Sequence, residues 1–319
     1  MVTSRGDSVI SVRAPAKLNL FFEVLGKRSD GFHEIETLMA PIDLFDDLFF
    51  QVVPSGKVRL ECVWATANVR GGNDDLGSLP DAEGNLATRA VKLLRERAGI
   101  ADGAHVRLIK RIPAAAGLGG GSADAAAALT AANLGWKLNW SFEQLAPVAA
   151  ELGSDVPFFL RRTWALCRGR GEQIEPLAGL GVWHAVVVRP PAGLSTAEVY
   201  LHCRPSEAAS SAKPLVASLR RGDPRPLARQ MTNDLQAAAE KLSPWIDRVL
   251  HEFRRFGCAA SQMSGSGTSC FGICHSRRHA RRVAAQLKAR EIGRVFVVQI
   301  GVMEHRRSGH GSAVADFPA

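Results

Sequence analysis

The chain has 319 residues, 46% of them hydrophobic and 22% charged, with a net charge of +9. That supports a packed core, and the length favours two domains over one. No apolar run approaches the roughly 20 residues that span a bilayer, and the N-terminus lacks the apolar segment of a secretion signal, so the sequence predicts a cytoplasmic protein with no membrane partner.

The basic residues are dispersed. Their nearest approaches to clusters are Arg277, Arg278, Arg281 and Arg282, on an apparent amphipathic helix, and His305 to Arg307. A single tyrosine leaves no aromatic-interleaved basic stripe for stacking bases, so nucleic acid is disfavoured as a partner. Anionic small molecules suit the same charge. Six cysteines (Cys62, Cys167, Cys203, Cys258, Cys270 and Cys274) form no CxxC pair, which predicts reduced thiols and gives no support for zinc.

In chain order, Val9 to Phe22 reads as a strand interrupted at Ala14 and Pro15, and Leu44 to Val53 as a second strand. Gly71 to Gly84, rich in Gly, Asn and Asp, reads as a loop. Leu86 to Ala98 has apolar residues at helical spacing, and His105 to Ile112 alternates as a half-buried strand with Lys110 as the exception. Ala123 to Leu134 is a helix of nearly pure alanine. Ser141 to Leu152 opens with a capping-box pattern. Trp164 to Ile174 and Ala185 to Arg189 read as strands, and Pro190 to Gly193 as a break. Helical patterns dominate from Leu215, around a second glycine-rich stretch at Met263 to Ile273. The polar tail from Ser308 reads as frayed. Irregular element order favours α+β over a doubly wound sheet, with a domain break near Pro176 to Val182.

The stretch Pro113 to Ala123, "PAAAGLGGGSA", stands between a strand and a helix. That arrangement presents backbone N–H groups and a helix N-terminus to an anion, and glycine lets a phosphate approach the backbone. It is neither of two common phosphate loops. Gly121 stands where a P-loop needs Lys, and Ser122 where the dinucleotide pattern from Gly117 needs Gly.

"PAAAGLGGGSADAAAAL" resembles the ATP-phosphate loop of the GHMP kinase superfamily, small-molecule kinases without a P-loop. "AKLNL", "DGFHE", "GSDVPFF" and "MSGSGTSCF" extend the resemblance over about Arg13 to Val302. They resemble most the branch whose acceptor is methylerythritol linked to cytidine diphosphate. The resemblance implies two α+β domains with the active site in the cleft between them. A ribosomal-S5-domain-2-like ATP domain would cover residues 1–178 and a ferredoxin-like α/β-plait substrate domain 179–305, with a tail at 306–319. It also implies a small-molecule substrate, ATP with Mg2+, and a monomer or weak homodimer.

The same resemblance implies site residues. Pro113, Ala114, Ala115, Ala116, Gly117, Leu118, Gly119, Gly120, Gly121, Ser122 and Ala123 would hold ATP. Asp155 matches the catalytic aspartate, a carboxylate that can accept a hydroxyl proton. Lys17 matches the catalytic lysine, an ammonium that offsets charge on the transferring group. Asn19 would lie near the acceptor hydroxyls. Phe32 and His33 match a cytosine pocket, Tyr200 would place its ring against the base, and Thr196 is a polar contact. Ser264, Gly265, Ser266 and Gly267 would face the first loop across the cleft. Asn233 and Asp234 are assigned to structure; Asp124, in the first helical turn, could contact metal, but a helix-dipole or capping role is the plainer assignment. The rival readings are another GHMP enzyme, of homoserine or mevalonate type, and a basic nucleic-acid-binding protein.

Overall fold

The protein was analysed as a computed structural model, which describes residues 9–65, 76–204 and 210–301. Two long strands, β1 (Ile10–Lys27) and β2 (His33–Val53), form an antiparallel hairpin with register shifts at Pro15/Ala16, Asn19/Phe21 and Val24/Gly26. Pro15 therefore does not interrupt the first strand. It sits at an irregularity of the ladder, where a residue without an N–H is tolerated. The second strand begins at His33 rather than Leu44. The run Thr37–Ile42 is buried throughout, so it carries no alternation for a sequence reading to detect.

The strand β3 (Val58–Trp64) was not foreseen. It pairs in parallel with β4 (Gly103–Lys110), which lies antiparallel to β2. Between them, α1 (Leu86–Arg97) starts on an Asn85 cap, whose side chain accepts from the Ala87 amide at 2.9 Å. The alanine helix α2 (Gly120–Gly135) begins three residues before the expected start. A reciprocal Ser141/Gln144 capping box opens α3 (Phe142–Leu152), and the short α4 (Val156–Arg161) follows. The expected strand Trp164–Ile174 is two strands, β5 (Ala165–Arg168) and β6 (Gln173–Pro176), paired as a hairpin. Glycines at positive φ, Gly169 and Gly171, make the turn.

The next strand is β7 (Trp183–Arg189). Five helices follow: α5 (Thr196–His202), α6 (Lys213–Arg221), α7 (Leu227–Gln230), α8 (Gln236–Leu242) and α9 (Pro244–Arg255). The chain then runs through β8 (Ala260–Met263), β9 (Cys270–Cys274), α10 (Arg277–Lys288) and β10 (Arg294–Ile300). The order β10-β7-β9-β8, with α9 and α10 as crossovers, is the ferredoxin-like plait. β7 matches the expected strand Ala185–Arg189, whereas β8 and β9 were missed among the helical patterns because they are four and five residues long and largely buried. A bridge between Ile300 and Ile42 joins the plait to β2, and the architecture is α+β.

Three apolar cores follow the hairpin. The first gathers Val12, Leu48 and Phe50 with α1 to α4, the second Leu18, Leu20, Leu38 and Ile42, and the third Phe22, Val24 and Ile35 with α8 to α10. β1 and β2 thus serve all three cores, and their middle section, which carries Lys17 and Asn19, lies where the cores meet. The tail at 306–319 and residues 71–75 of the expected loop lie outside the described residues. Among the described residues, no helix is long and apolar enough to cross a membrane.

Candidate active site

The glycine stretch is a loop pinned from behind. Ile112, Ala116 and Leu118 are buried in the second core. The carbonyls of Ala116, Gly117 and Leu118 accept from the Ser269 amide (3.1 Å), the Ser264 hydroxyl (3.0 Å) and the Lys17 amide (2.9 Å). With those carbonyls engaged, amides are what the loop has left to offer. Gly119, at φ 71°, caps α2, and the first-turn amides from Gly120 onward have no helical carbonyl to bond. A cavity of about 400 Å³ lies against them, lined by Pro113–Gly117, Gly119–Ser122, Leu79, Pro80, Asn85 and Leu86.

On the loop's other side is a cleft of about 1040 Å³. Ala115, Gly117 and Gly119 line both spaces, so the loop is their common wall. Lys17 and Asp155 meet where the cleft touches that wall, Nζ to Oδ2 at 3.6 Å. Lys17 is buried, whereas the Asp155 side chain is 32% exposed. Lys17 Nζ also donates to Asn19 Oδ1, and Asn19 Nδ2 donates to Thr37 Oγ1 at 2.9 Å. The Ser264 hydroxyl reaches the Asn19 amide at 3.3 Å, and Gln262 Nε2 donates to the Asn19 carbonyl at 2.8 Å. Lys17, Asn19, Asp155, Ser264 and Gly117 are therefore one bonded cluster built from four distant stretches.

At the outer end, His33 and Tyr200 stack directly, with centroids 4.8 Å apart and planes at 25°. That is ring contact, with no room for a third ring between them. Phe32 stands outside the pair, 49% exposed, under the Arg170 guanidinium at 4.7 Å. Thr196, one helical turn before Tyr200 on α5, has its Oγ1 2.8 Å from Ser266 Oγ, and Gly265 and Gly267 line the cleft with them. Burial pushes the Tyr200 hydroxyl pKa well up, and the nearby Asp155 charge adds to the shift. The phenol stays neutral and is available as a hydrogen-bonding aromatic.

The structure adds residues that sequence reading passed over. Lys27 and Arg170 line the cleft. Lys110, which also lines the glycine-loop cavity, forms a buried ion pair with Asp46, and the signal for it was Lys110's break in the strand alternation. Asp124, expected as a cap or dipole partner, is neither. It lies past the first turn, buried against Lys110. Burial raises its carboxyl well above the usual range, with Lys110 opposing. The Asn233 side chain donates to the carbonyls of Met263 (2.9 Å) and Gly265 (2.8 Å), and Asp234 accepts from the Val24 amide at 2.9 Å. Both therefore brace the backbone.

Cys62 also lines the cavity beside the glycine loop, and burial raises its thiol to about 11. The thiolate is the reactive form, so at pH 8 about one thiol in a thousand is reactive. Alkylation of Cys62 by iodoacetamide, read by peptide mass spectrometry, is expected to rise about tenfold per pH unit up to that value. Saturating ATP should protect the residue. Fast labelling at pH 8, or no protection, would contradict this placement.

Fold and site together define a two-domain small-molecule kinase. Family models described as "GHMP kinases N terminal domain" and "GHMP kinases C terminal" match residues 85–162 and 215–292, and the chain belongs to the GHMP kinase family. Within that family, several curated relatives at 36–41% identity carry one enzyme name. The 4-diphosphocytidyl-2-C-methyl-D-erythritol kinase of Pelotomaculum thermopropionicum is 41% identical over 282 residues, 88% of this chain and 94% of that protein. The enzyme of the same name from Shouchella clausii is 38% identical, over 86% of this chain and 88% of that protein. A crystal structure of 4-(cytidine 5'-diphospho)-2C-methyl-D-erythritol kinase superposes with a TM-score of 0.77 at 36% identity, over 92% of this chain and all of that one. The mevalonate kinase of L. major, at TM-score 0.69 and 16% identity over 94% of this chain and 98% of that one, shares the fold.

Proposed function

We propose that the protein transfers the γ-phosphoryl group of ATP to the 2-hydroxyl of 4-diphosphocytidyl-2-C-methyl-D-erythritol, a step of non-mevalonate isoprenoid precursor synthesis. One observation carries the reading. The Lys17–Asp155 pair sits at the shared wall between a glycine-lined cavity and a cleft that ends in stacked rings. A triphosphate on the loop amides and an acceptor in the cleft would meet there.

In this reading the adenine side packs among Leu79, Pro80 and Leu86, and the phosphates lie on the amides of Gly119 to Ser122. Asp155 takes the proton of the acceptor hydroxyl as its oxygen attacks the γ-phosphorus. The bond from phosphorus to the bridging oxygen breaks, and ADP leaves. Lys17 offsets charge on the phosphoryl oxygens and, with Asn19, fixes the carboxylate's neighbourhood. Transfer of this kind needs positioning and charge stabilisation more than covalent help.

Magnesium bound with ATP would neutralise phosphate charge. The cavity fits it. The Ser122 hydroxyl lines the wall, and Asp124 Oδ1 is buried without a hydrogen-bond partner. Mg2+ is usually held by one or two protein oxygens plus phosphates and water. Residues 1–178 would carry the nucleotide and 179–305 most of the acceptor site. We place the protein in the cytoplasm as a monomer or weak homodimer, with no nucleic-acid partner.

Phe32, His33 and Tyr200 would hold the cytosine, with the base against an outer face of the His33–Tyr200 stack. Arg170 and Lys27 supply positive charge nearby. His33→Ala should raise KM for the cytidylated acceptor about tenfold, the order of one lost ring contact or hydrogen bond. KM for ATP should stay put. A rise confined to ATP would overturn the pocket assignment. The activity itself is tested by ADP release with the cytidylated acceptor, mevalonate and homoserine. Release only with the first is expected, and release only with either of the others refutes the proposal.

A further inference from the structure

Beside the glycine loop lies a buried three-residue charge cluster: Lys110 and Asp124 reach the wall of the loop's cavity, whereas Asp46 does not and has no part in the transfer chemistry. Lys110, the last residue of β4, donates through Nζ to Asp46 Oδ2 on β2 and to Asp124 Oδ2 on α2. Side-chain exposure is 7% for Lys110, 0% for Asp46 and 3% for Asp124. The second oxygen of Asp46 accepts from the backbone amides of Arg111 and Ile112, the latter at 2.9 Å. Those two residues are the entry to the loop, and Pro113 follows them. Next door, Arg111 pairs with Asp47 at 2.6 Å on the exposed side of the sheet.

One carboxylate thus holds both ends of the phosphate-binding segment. It fixes the entry directly, through two amides. It fixes the exit through Lys110 and Asp124, one turn into α2. A side chain with no exposure cannot lose such partners cheaply. Removing one member of a buried ion pair leaves an uncompensated charge, and unmade buried bonds cost more than made ones return. The bracket keeps Gly117 to Ser122 at a fixed distance from β2, which also carries Thr37, the partner of Asn19. Displacement of a phosphate-holding loop by about 1 Å can cost about a hundredfold in rate.

We propose that Asp46 is a positioning residue for nucleotide binding, setting the spacing between the loop entry and the first turns of α2. The proposal rests on the assignment of ATP to this loop, and its test is chosen to separate the two. Asp46→Asn keeps the size and one oxygen acceptor, but removes the charge that balances Lys110. The intact full-length protein is titrated with a fluorescent ATP analogue and, separately, with cytidine 5'-diphosphate, and its Tm is measured.

The expected result is ATP-analogue affinity weakened about tenfold to a hundredfold, with cytidine diphosphate affinity within about twofold of wild type. Asp46→Glu keeps the charge with its oxygens shifted by one methylene, and should lie between wild type and Asp46→Asn. A purely structural role predicts a lower Tm with both affinities unchanged, or both weakened together; either result overturns the proposal. If Asp46→Asn does not fold, Asp46→Glu is judged by the same split. Wild-type protein that does not bind the ATP analogue at all refutes the nucleotide assignment instead.

Discussion

Asp155→Asn is expected to lower turnover by about 10²–10⁴-fold, the span general base catalysis supplies, while nucleotide affinity changes less than about twofold. The substitution keeps the shape of the side chain and removes its ability to take a proton. Asp155 faces the cleft with its side chain 32% exposed and lies 3.6 Å from Lys17. It lines the acceptor cleft but not the cavity against the phosphate loop, so nucleotide contacts should survive. Lys17 keeps Asn19 as a partner in the variant, which limits collateral rearrangement. Single-turnover rates and nucleotide titration separate the two effects. Turnover near wild type would strip Asp155 of its role. Loss of nucleotide binding in parallel would put it on the phosphate side instead.

Gly117→Ala should abolish measurable activity, through the phosphate loop rather than the acceptor site. Gly117 has φ 73°, and an added Cβ would stand 2.2 Å from the Ser264 carbonyl oxygen and 3.0 Å from that of Gly267. Both obstacles are backbone, so neither can rotate away. The left-handed conformation alone costs an L-residue about 1–2 kcal/mol. The clash must in addition push the first glycine loop off the second, parting the Ser264–Gly117 bond of 3.0 Å. A loop displaced on that scale loses about a hundredfold in rate, before weaker nucleotide binding is counted. Gly179→Ala is the control. Gly179 has nearly the same φ, 76°, but open space around its would-be Cβ. It should cost the backbone penalty in stability and leave kcat and both KM values intact. Equal effects from the two variants would mean that contact between the loops is irrelevant.

The glycine loop, the alanine helix and the capping box at Ser141 were legible because each rests on a short stretch whose chemistry is local. Glycine, helix-forming alanine, and a Ser–Gln pair three apart declare themselves without knowledge of neighbours. Asp155 and Lys17 were found through resemblance. No local rule distinguishes either from a surface charge. Three of the missed elements share one cause. The Thr37–Ile42 half of β2 and the short strands β8 and β9 are buried on both faces, which erases the period-two signal. Asp46 was invisible for a related reason. Its partners, Lys110 and the amides of Arg111 and Ile112, lie 64 to 66 positions away in sequence, and only its burial reveals that it must be paired.

By itself, then, the sequence determined that a glycine-rich turn precedes an alanine helix, and it supplied motifs whose order points to one family. Tertiary structure alone decided that Lys17, Asn19, Asp155 and Ser264 share one bonded cluster, that His33 and Tyr200 stack on each other, and that Asp124 serves a buried lysine instead of a helix end. The physical reason is range. Turns and caps are set by bonds between residues a few positions apart. Packed charges and rings take their meaning from partners that the folding of a long hairpin brings within a few ångströms.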